Sequence, residues 1–258
     1  MELSLDDHRE RLTSFACSFL GESEKDDYSI QLKIDHTMRV LDNAAVICES
    51  TDMDNASKQA ALLGALYHDV GRFPQYHRYK TFNDSISVNH ALLGVKALIS
   101  HRFLAGLPPA MKRTVYGAVR MHNMKVIPPN TPPELATVCN IVRDSDKLDI
   151  FLVMLSHLDL KNPNRTVVMD AKPDPEKFTP ALLEELMRGE IADYRKITWT
   201  NDFKLLIAGW AFDLNFSKSY AILKSKGYIN QIFDSLPKKE VFKKLRHKIE
   251  VHVEKQII

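Results

Sequence analysis

The chain has 258 residues, 45% of them hydrophobic and 26% charged, which places it among globular proteins with ample material for a core and excludes a disordered chain. Its 35 basic and 33 acidic residues leave a formal net charge of +2, so the charge balance calls for neither nucleic acid nor an anionic membrane as partner. The cysteines, Cys17, Cys48 and Cys139, form no CxxC pair and suit a reducing cytoplasm. The N-terminus lacks the basic and apolar segments of a signal peptide, and no apolar run approaches membrane-spanning length, so a cytoplasmic protein is expected.

The apolar spacing is mostly helical. Ile30, Ile34, Met38 and Leu41 recur at helical intervals and predict a helix that carries His36. Residues 56–70 predict a second, with Ala60, Leu63, Leu66 and Val70 on one stripe and Gly71 as the residue that ends it in a left-handed conformation. The aromatic and polar stretch from Arg72 to Ser87 contains Pro74 and reads as a loop. A helix from Val88 to Arg102 holds His90 near its start. Pro108-Pro109 opens another that ends near His122-Asn123. Pro128-Pro129 and Pro132-Pro133 mark a rigid loop before a long helix, roughly residues 133–158, that carries Asp146.

The segment 161–180, with Pro163, Pro173, Pro175 and Pro180, reads as a connection with a short strand at Thr166-Val167-Val168. Helical patterning returns over residues 180–258, where the aromatic stretch Phe203–Phe216 is expected to pack back on the first half. The expected organisation is one metal-site domain over residues 1–160 and a helical C-terminal region over 161–258. The lysines and arginine of the last helix, from Lys238, read as a solvated face and not as a nucleic-acid patch.

Six residues carry the chemistry: His36, the adjacent pair His68-Asp69, His90, His122, and an aspartate in Asp144-Ser145-Asp146-Lys147-Leu148-Asp149. Imidazole nitrogens and carboxylate oxygens hold divalent transition metals, and six of them suffice for two ions. Residues 68 and 69 differ by about 100° around a helix, so near a helix end both can reach one ion. A carboxylate has two oxygens, so Asp69 can bridge two metals where His68 binds one. Asp144, Asp146 and Asp149 compete for the downstream position. His8, His77, His101, His157, His247 and His252 fit no pattern, although His77 lies in the aromatic stretch beside the presumed site.

The order His36, His68-Asp69, Asp146 with Lys147-Leu148-Asp149 following resembles the HD-domain superfamily of metal-dependent phosphohydrolases, and His90 and His122 extend it to the H…HD…H…H…D arrangement of the binuclear branch. The resemblance covers roughly residues 28–160. It implies an all-α, HD-domain-like helical bundle. It selects Asp146 as the downstream ligand and implies that His36, His68, Asp69 and Asp146 hold one ion, while Asp69, His90 and His122 hold a second. Asp149, one turn further, is then a supporting carboxylate or a helix salt bridge.

The resemblance further implies hydrolysis of a small-molecule phosphate ester, with nucleotides as the default, by water activated on one or two divalent ions of iron, manganese, cobalt, nickel or zinc, magnesium being less suited to the ligand set. Arg72 and Lys147 are candidate cations for the phosphate, beside Asp69, His90 and His122 as reacting-centre residues; Arg72 could equally cap its helix or pair with an acid. His68-Asp69-Val70-Gly71-Arg72-Phe73 lacks the acidic pair of the alarmone hydrolases. Arg72 stands where the one-metal 5′-nucleotidases carry Glu, and the GYP signature of cyclic-di-GMP phosphodiesterases is absent. Two other readings share the pattern: a di-iron oxygenase with the same ligand order, and a non-catalytic nucleotide sensor.

Overall fold

The computed structural model describes residues 4–21, 23–157 and 171–257. Helix starts are set by short polar side chains. Ser4, Ser23, Asp54 and Asn89 each accept a hydrogen bond from the backbone N–H three residues on, which satisfies a donor that the first turn leaves without a partner. The chain divides into two compact units, Met1–Asp149 and Ile150–Ile258.

The first unit contains α1 (Leu5–Cys17), α2 (Glu24–Glu49), α3 (Asn55–Tyr67), α4 (Arg72–Tyr79), α5 (His90–Ser100), α6 (Pro109–Met121) and most of α7 (Pro133–His157). Helix α3 lies between α2 and α6, α5 packs on α6, and α4 packs against α2 and α5. Leu63, Leu66 and Tyr67 of α3, Ile34, Val40 and Leu41 of α2, and Val115 and Val119 of α6 are buried between them. Each large aliphatic side chain so buried is worth about 1.5–3 kcal/mol. The close approach of α3 depends on Gly64: a Cβ there would fall 3.1 Å from Val142 and 3.2 Å from Ala118.

Two local expectations are corrected. Arg72–Tyr79 is a helix, because Pro74 sits in its first turn, where the missing N–H has no intrahelical acceptor to lose. Gly71 has φ −72° and precedes this helix; it does not end the one before. It is small for another reason: a Cβ at Gly71 would lie 2.1 Å from the His90 carbonyl oxygen and 2.5 Å from the Gly94 nitrogen. That contact docks the turn after α3 onto the start of α5.

The second unit contains the end of α7 and then α8 (Pro180–Arg188), α9 (Thr200–Gly209), a 3-10 turn at Trp210–Asp213, α10 (Ser217–Ser225), α11 (Tyr228–Asp234) and α12 (Glu240–Gln256). All ten residues of α9 are buried, as expected of a helix enclosed on every side. Its polar residues are paired inside the unit. Asp202 accepts from the Thr179 N–H (2.6 Å) and hydroxyl (2.7 Å) and from the N–H groups of Thr198 and Trp199 (2.9 Å each). Asn201 donates to the carbonyls of Asp174, Pro175 and Lys177, and Lys204 donates to that of Ser235 at 2.8 Å.

Among the described residues the fold is all-α; a single bridge pairs Lys172 with Trp199 and no strand forms. No described helix is long and apolar enough to cross a membrane. The strand expected at Thr166–Val168 lies outside the described residues.

Candidate metal centre

Six side chains from five places in the first unit converge on one point. His36 comes from the middle of α2, and Asp146 from α7. His68 is the residue at the C-terminal end of α3, and His122 holds the same place after α6; both keep helical backbone angles. Asp69 follows in the turn, and His90 opens α5. The carbonyl ends of α3 and α6 therefore both lie at this centre, where a helix dipole favours a cation.

Each imidazole is oriented the same way. Nδ1 of His68 donates to the Ala65 carbonyl, and Nδ1 of His122 to that of Val119, at 2.7 Å each. Nδ1 of His36 meets Asp149 Oδ2 at 2.6 Å, and Nδ1 of His90 meets Asp84 Oδ2 at 2.7 Å. Carbonyls and carboxylates only accept, so Nδ1 carries a proton in each ring, and in the neutral imidazole Nε2 presents a lone pair inward. Those lone pairs confront each other: His36 Nε2 lies 3.3 Å from His68 Nε2, and His90 Nε2 lies 2.9 Å from His122 Nε2.

Asp69 stands between the two histidine pairs. Its Oδ2 is 3.6 Å from His68 Nε2 and 3.7 Å from His36 Nε2; its Oδ1 is 3.3 Å from His90 Nε2 and 3.7 Å from His122 Nε2. Asp146 Oδ1 joins the first pair at 3.2 Å from His36 and 3.7 Å from His68. The trios His36–His68–Asp69 and Asp69–His90–His122 each have ligand atoms within 4.8 Å of one another.

This arrangement fits metal ions. Two nitrogen ligands about 2.0–2.1 Å from one ion stand about 2.8–3.0 Å apart at a right angle and about 3.3–3.4 Å apart at a tetrahedral angle, a range that holds both Nε2–Nε2 separations. Without a cation, four inward lone pairs and two carboxylates repel one another in a buried space.

The electrostatics keep His68 and His90 in ligand form. Burial, against the pull of Asp69 and Asp146, lowers His68 to about 4; burial together with the charge of Arg72 lowers His90 to about 3. Both are neutral at pH 7. His36 moves the other way: burial and Lys33 push it down, but its hydrogen bonds to Asp146 and Asp149 outweigh them and raise it. Burial disfavours the Asp69 carboxylate, yet Lys33, His68 and Arg72 hold it well below the ordinary range. Burial also works against Asp146, which hydrogen bonding from His36 nevertheless keeps low.

A supporting shell surrounds these six. Asp149 accepts from Arg39 Nε at 2.6 Å while it holds His36. Asp84 is clasped by Arg72 Nη1 at 3.0 Å, Gln75 Nε2 at 2.9 Å and Asn123 Nδ2 at 3.4 Å while it holds His90. Burial works against its charge, but the His90 hydrogen bond and Arg72 leave it at about 2. Lys33 Nζ donates to Asp69 Oδ2 at 2.7 Å.

The structure thus brings together His36, His68, Asp69, His90, His122 and Asp146. It places Arg72 at their edge, where Nε is 3.4 Å from Asp69 Oδ1. Lys147 is buried on α7, one position past Asp146 and so about 100° round the helix from it. His77 is outside the group, exposed with its ring 5.5 Å from that of Phe19. His8 is a buried packing residue whose Nδ1 meets the Tyr67 hydroxyl at 2.9 Å. Lys33 escaped sequence reasoning, although it lies three positions before His36 on the same helical face. Asp84 lies in the stretch that reads as a loop, and nothing in that sequence fixes its fold.

A helical bundle whose adjacent His-Asp pair lies at the end of one helix, with partners from four others, fits a divalent-metal centre of the HD type. Residues 34–150 match the model of the family described as HD domain, and this part of the chain is an HD domain. That domain is the one of the metal-dependent phosphohydrolase superfamily, whose members bind divalent metals. Neither the curated proteins nor the solved structures contain a match to the chain.

Proposed function

We propose that the chain hydrolyses a phosphate ester, with nucleotides as the default substrates, at a centre of two divalent ions. His36, His68, Asp69 and Asp146 would hold one ion and Asp69, His90 and His122 the other. The observation that carries this reading is the division of Asp69, one oxygen toward each histidine pair. When bound, such ions supply water of lowered pKa and polarise phosphoryl oxygens.

The chain's own residues do the rest. Asp149 and Asp84 fix the tautomers of His36 and His90, and the Ala65 and Val119 carbonyls fix those of His68 and His122. Arg72 holds Asp84 and approaches Asp69, which makes it a positioning residue first. The buried histidines form a floor that closes one side of the centre to bulk water.

The four-imidazole set also suits an iron pair, and ligand order alone does not separate hydrolysis from oxygen chemistry. Metal content per chain, on protein never exposed to chelators, is the first test. Two ions, with phosphatase activity toward nucleotides that needs no oxygen, support the hydrolase. Asp69→Ala should lose both ions and at least ~10³-fold of activity while retaining helical content. Full metal and activity in Asp69→Ala would overturn the reading, and turnover that requires oxygen would replace it with an oxygenase.

A further inference from the structure

The exposure of the polar groups around the centre shows where a substrate enters. His36 and His68 are 3% and 0% exposed and form a floor. Lys33 and Asp146 are 19% exposed, Arg72 16% and Asp84 30%, and these form the mouth. Three cations lie on or near this shell, and two are matched by carboxylates outside the donor set: Arg39 by Asp149 at 2.6 Å and Arg72 by Asp84 at 3.0 Å. Lys33 differs. Its carboxylate partner is Asp69, whose two oxygens face the two histidine pairs.

Resting on the phosphohydrolase reading, we propose that Lys33 contacts the phosphoryl group of the substrate and that the site prefers the dianion of a phosphate monoester over a diester. Once Asp69 gives its oxygens to cations, the charge of Lys33 is no longer matched, and its Nζ stands at the mouth within reach of an anion seated on the centre. The charge balance points the same way. Asp69 and Asp146 offset one divalent ion, so Lys33 leaves a surplus of one positive charge with one ion and of three with two. With two ions, a monoester dianion offsets more of the surplus of three than a diester monoanion does. The ring of Phe82, 5.5 Å below Lys33 Nζ and 6.0 Å from the Arg72 guanidinium, offers an apolar surface beside the phosphate for the leaving group.

The test uses the metal-loaded full chain and inorganic phosphate as probe, by calorimetric titration of wild type, Lys33→Met and Lys33→Arg. Lys33→Met should keep its metal and its thermal midpoint while phosphate binding weakens about ten- to hundredfold, the loss expected for one charge-assisted hydrogen bond. Lys33→Arg should recover most of that loss. With p-nitrophenyl phosphate and bis(p-nitrophenyl) phosphate as substrates, Lys33→Met should lose kcat/KM on the monoester at least about tenfold more than on the diester.

Unchanged phosphate affinity in Lys33→Met at full metal content would overturn the assignment, as would wild-type protein that binds no phosphate. Loss of metal in Lys33→Met would also overturn it, and would leave Lys33 as a positioning residue for Asp69. If wild type binds phosphate through Lys33 but turns over neither ester, the hydrolase reading fails while the phosphate contact stands.

Discussion

Both units bury a cluster of polar side chains, and the clusters are opposites. On α9 of the second unit, donors meet acceptors: Asp202 accepts four hydrogen bonds, Asn201 donates to three carbonyls and Lys204 to one. In the first unit, acceptors meet acceptors: His90 Nε2 faces His122 Nε2 at 2.9 Å, His36 Nε2 faces His68 Nε2 at 3.3 Å, and Asp69 lies between. A buried polar group without a complementary partner costs free energy, so the second arrangement persists only where something else supplies the complement. Satisfied buried polarity holds a fold together. Buried polarity of one kind, all aimed at one point, is a binding site.

The contrast predicts different consequences for removing a carboxylate from each cluster. Asp202→Ala leaves three backbone N–H groups and a hydroxyl without their acceptor, and should destabilise the protein by about 3 kcal/mol in urea unfolding. Under folding conditions its metal content should equal that of wild type. Metal loss at full folding in this variant would erase the distinction between the clusters.

Asp84→Asn probes the other side more gently. The amide offers His90 Nδ1 a donor as well as an acceptor, so the tautomer of the ring is no longer dictated. Metal affinity should fall about 10- to 100-fold, with thermal stability of the metal-free protein nearly unchanged. A competition titration with a chromogenic chelator measures it, and unchanged affinity would remove Asp84 from the support of the site.

How far each cluster could be seen in the sequence follows from what fixes it. The helices that carry His36, His90, His122 and Asp146 were legible, because apolar spacing and the proline pairs fix their existence and rough ends. Asp149 was legible as a carboxylate one turn past Asp146, since helical spacing alone sets that relation. The helix Arg72–Tyr79 was not, because Pro74 in a first turn and Pro74 in a loop look alike without knowledge of where the turn begins. The salt bridge of Lys33 to Asp69 links residues 36 positions apart, and only the packing of α2 against the turn after α3 creates it. The α9 cluster was hidden for a similar reason. Thr200, Asn201, Asp202 and Lys204 look like the exposed start of an amphipathic helix until the carbonyls of residues 174–177 close over them.

The smallest expected effect tests whether satisfaction in the second unit extends to charge. Lys204 gives a hydrogen bond to the Ser235 carbonyl, but no carboxylate is among its described partners, and burial lowers its pKa below the ordinary 10.5. A base whose folded pKa is depressed binds fewer protons folded than unfolded. Its penalty on stability is therefore full below the folded pKa and fades as pH rises through that value toward 10.5. Lys204→Met removes the charge and keeps most of the apolar stem, at the cost of one hydrogen bond worth about 1 kcal/mol. Relative to wild type, the variant should thus be at its best near pH 7 and should lose ground as the pH approaches 10. Unfolding free energies at three pH values between 7 and 10 decide it: a constant difference would mean that the Ser235 carbonyl and the negative ends of nearby peptide dipoles offset the charge in full.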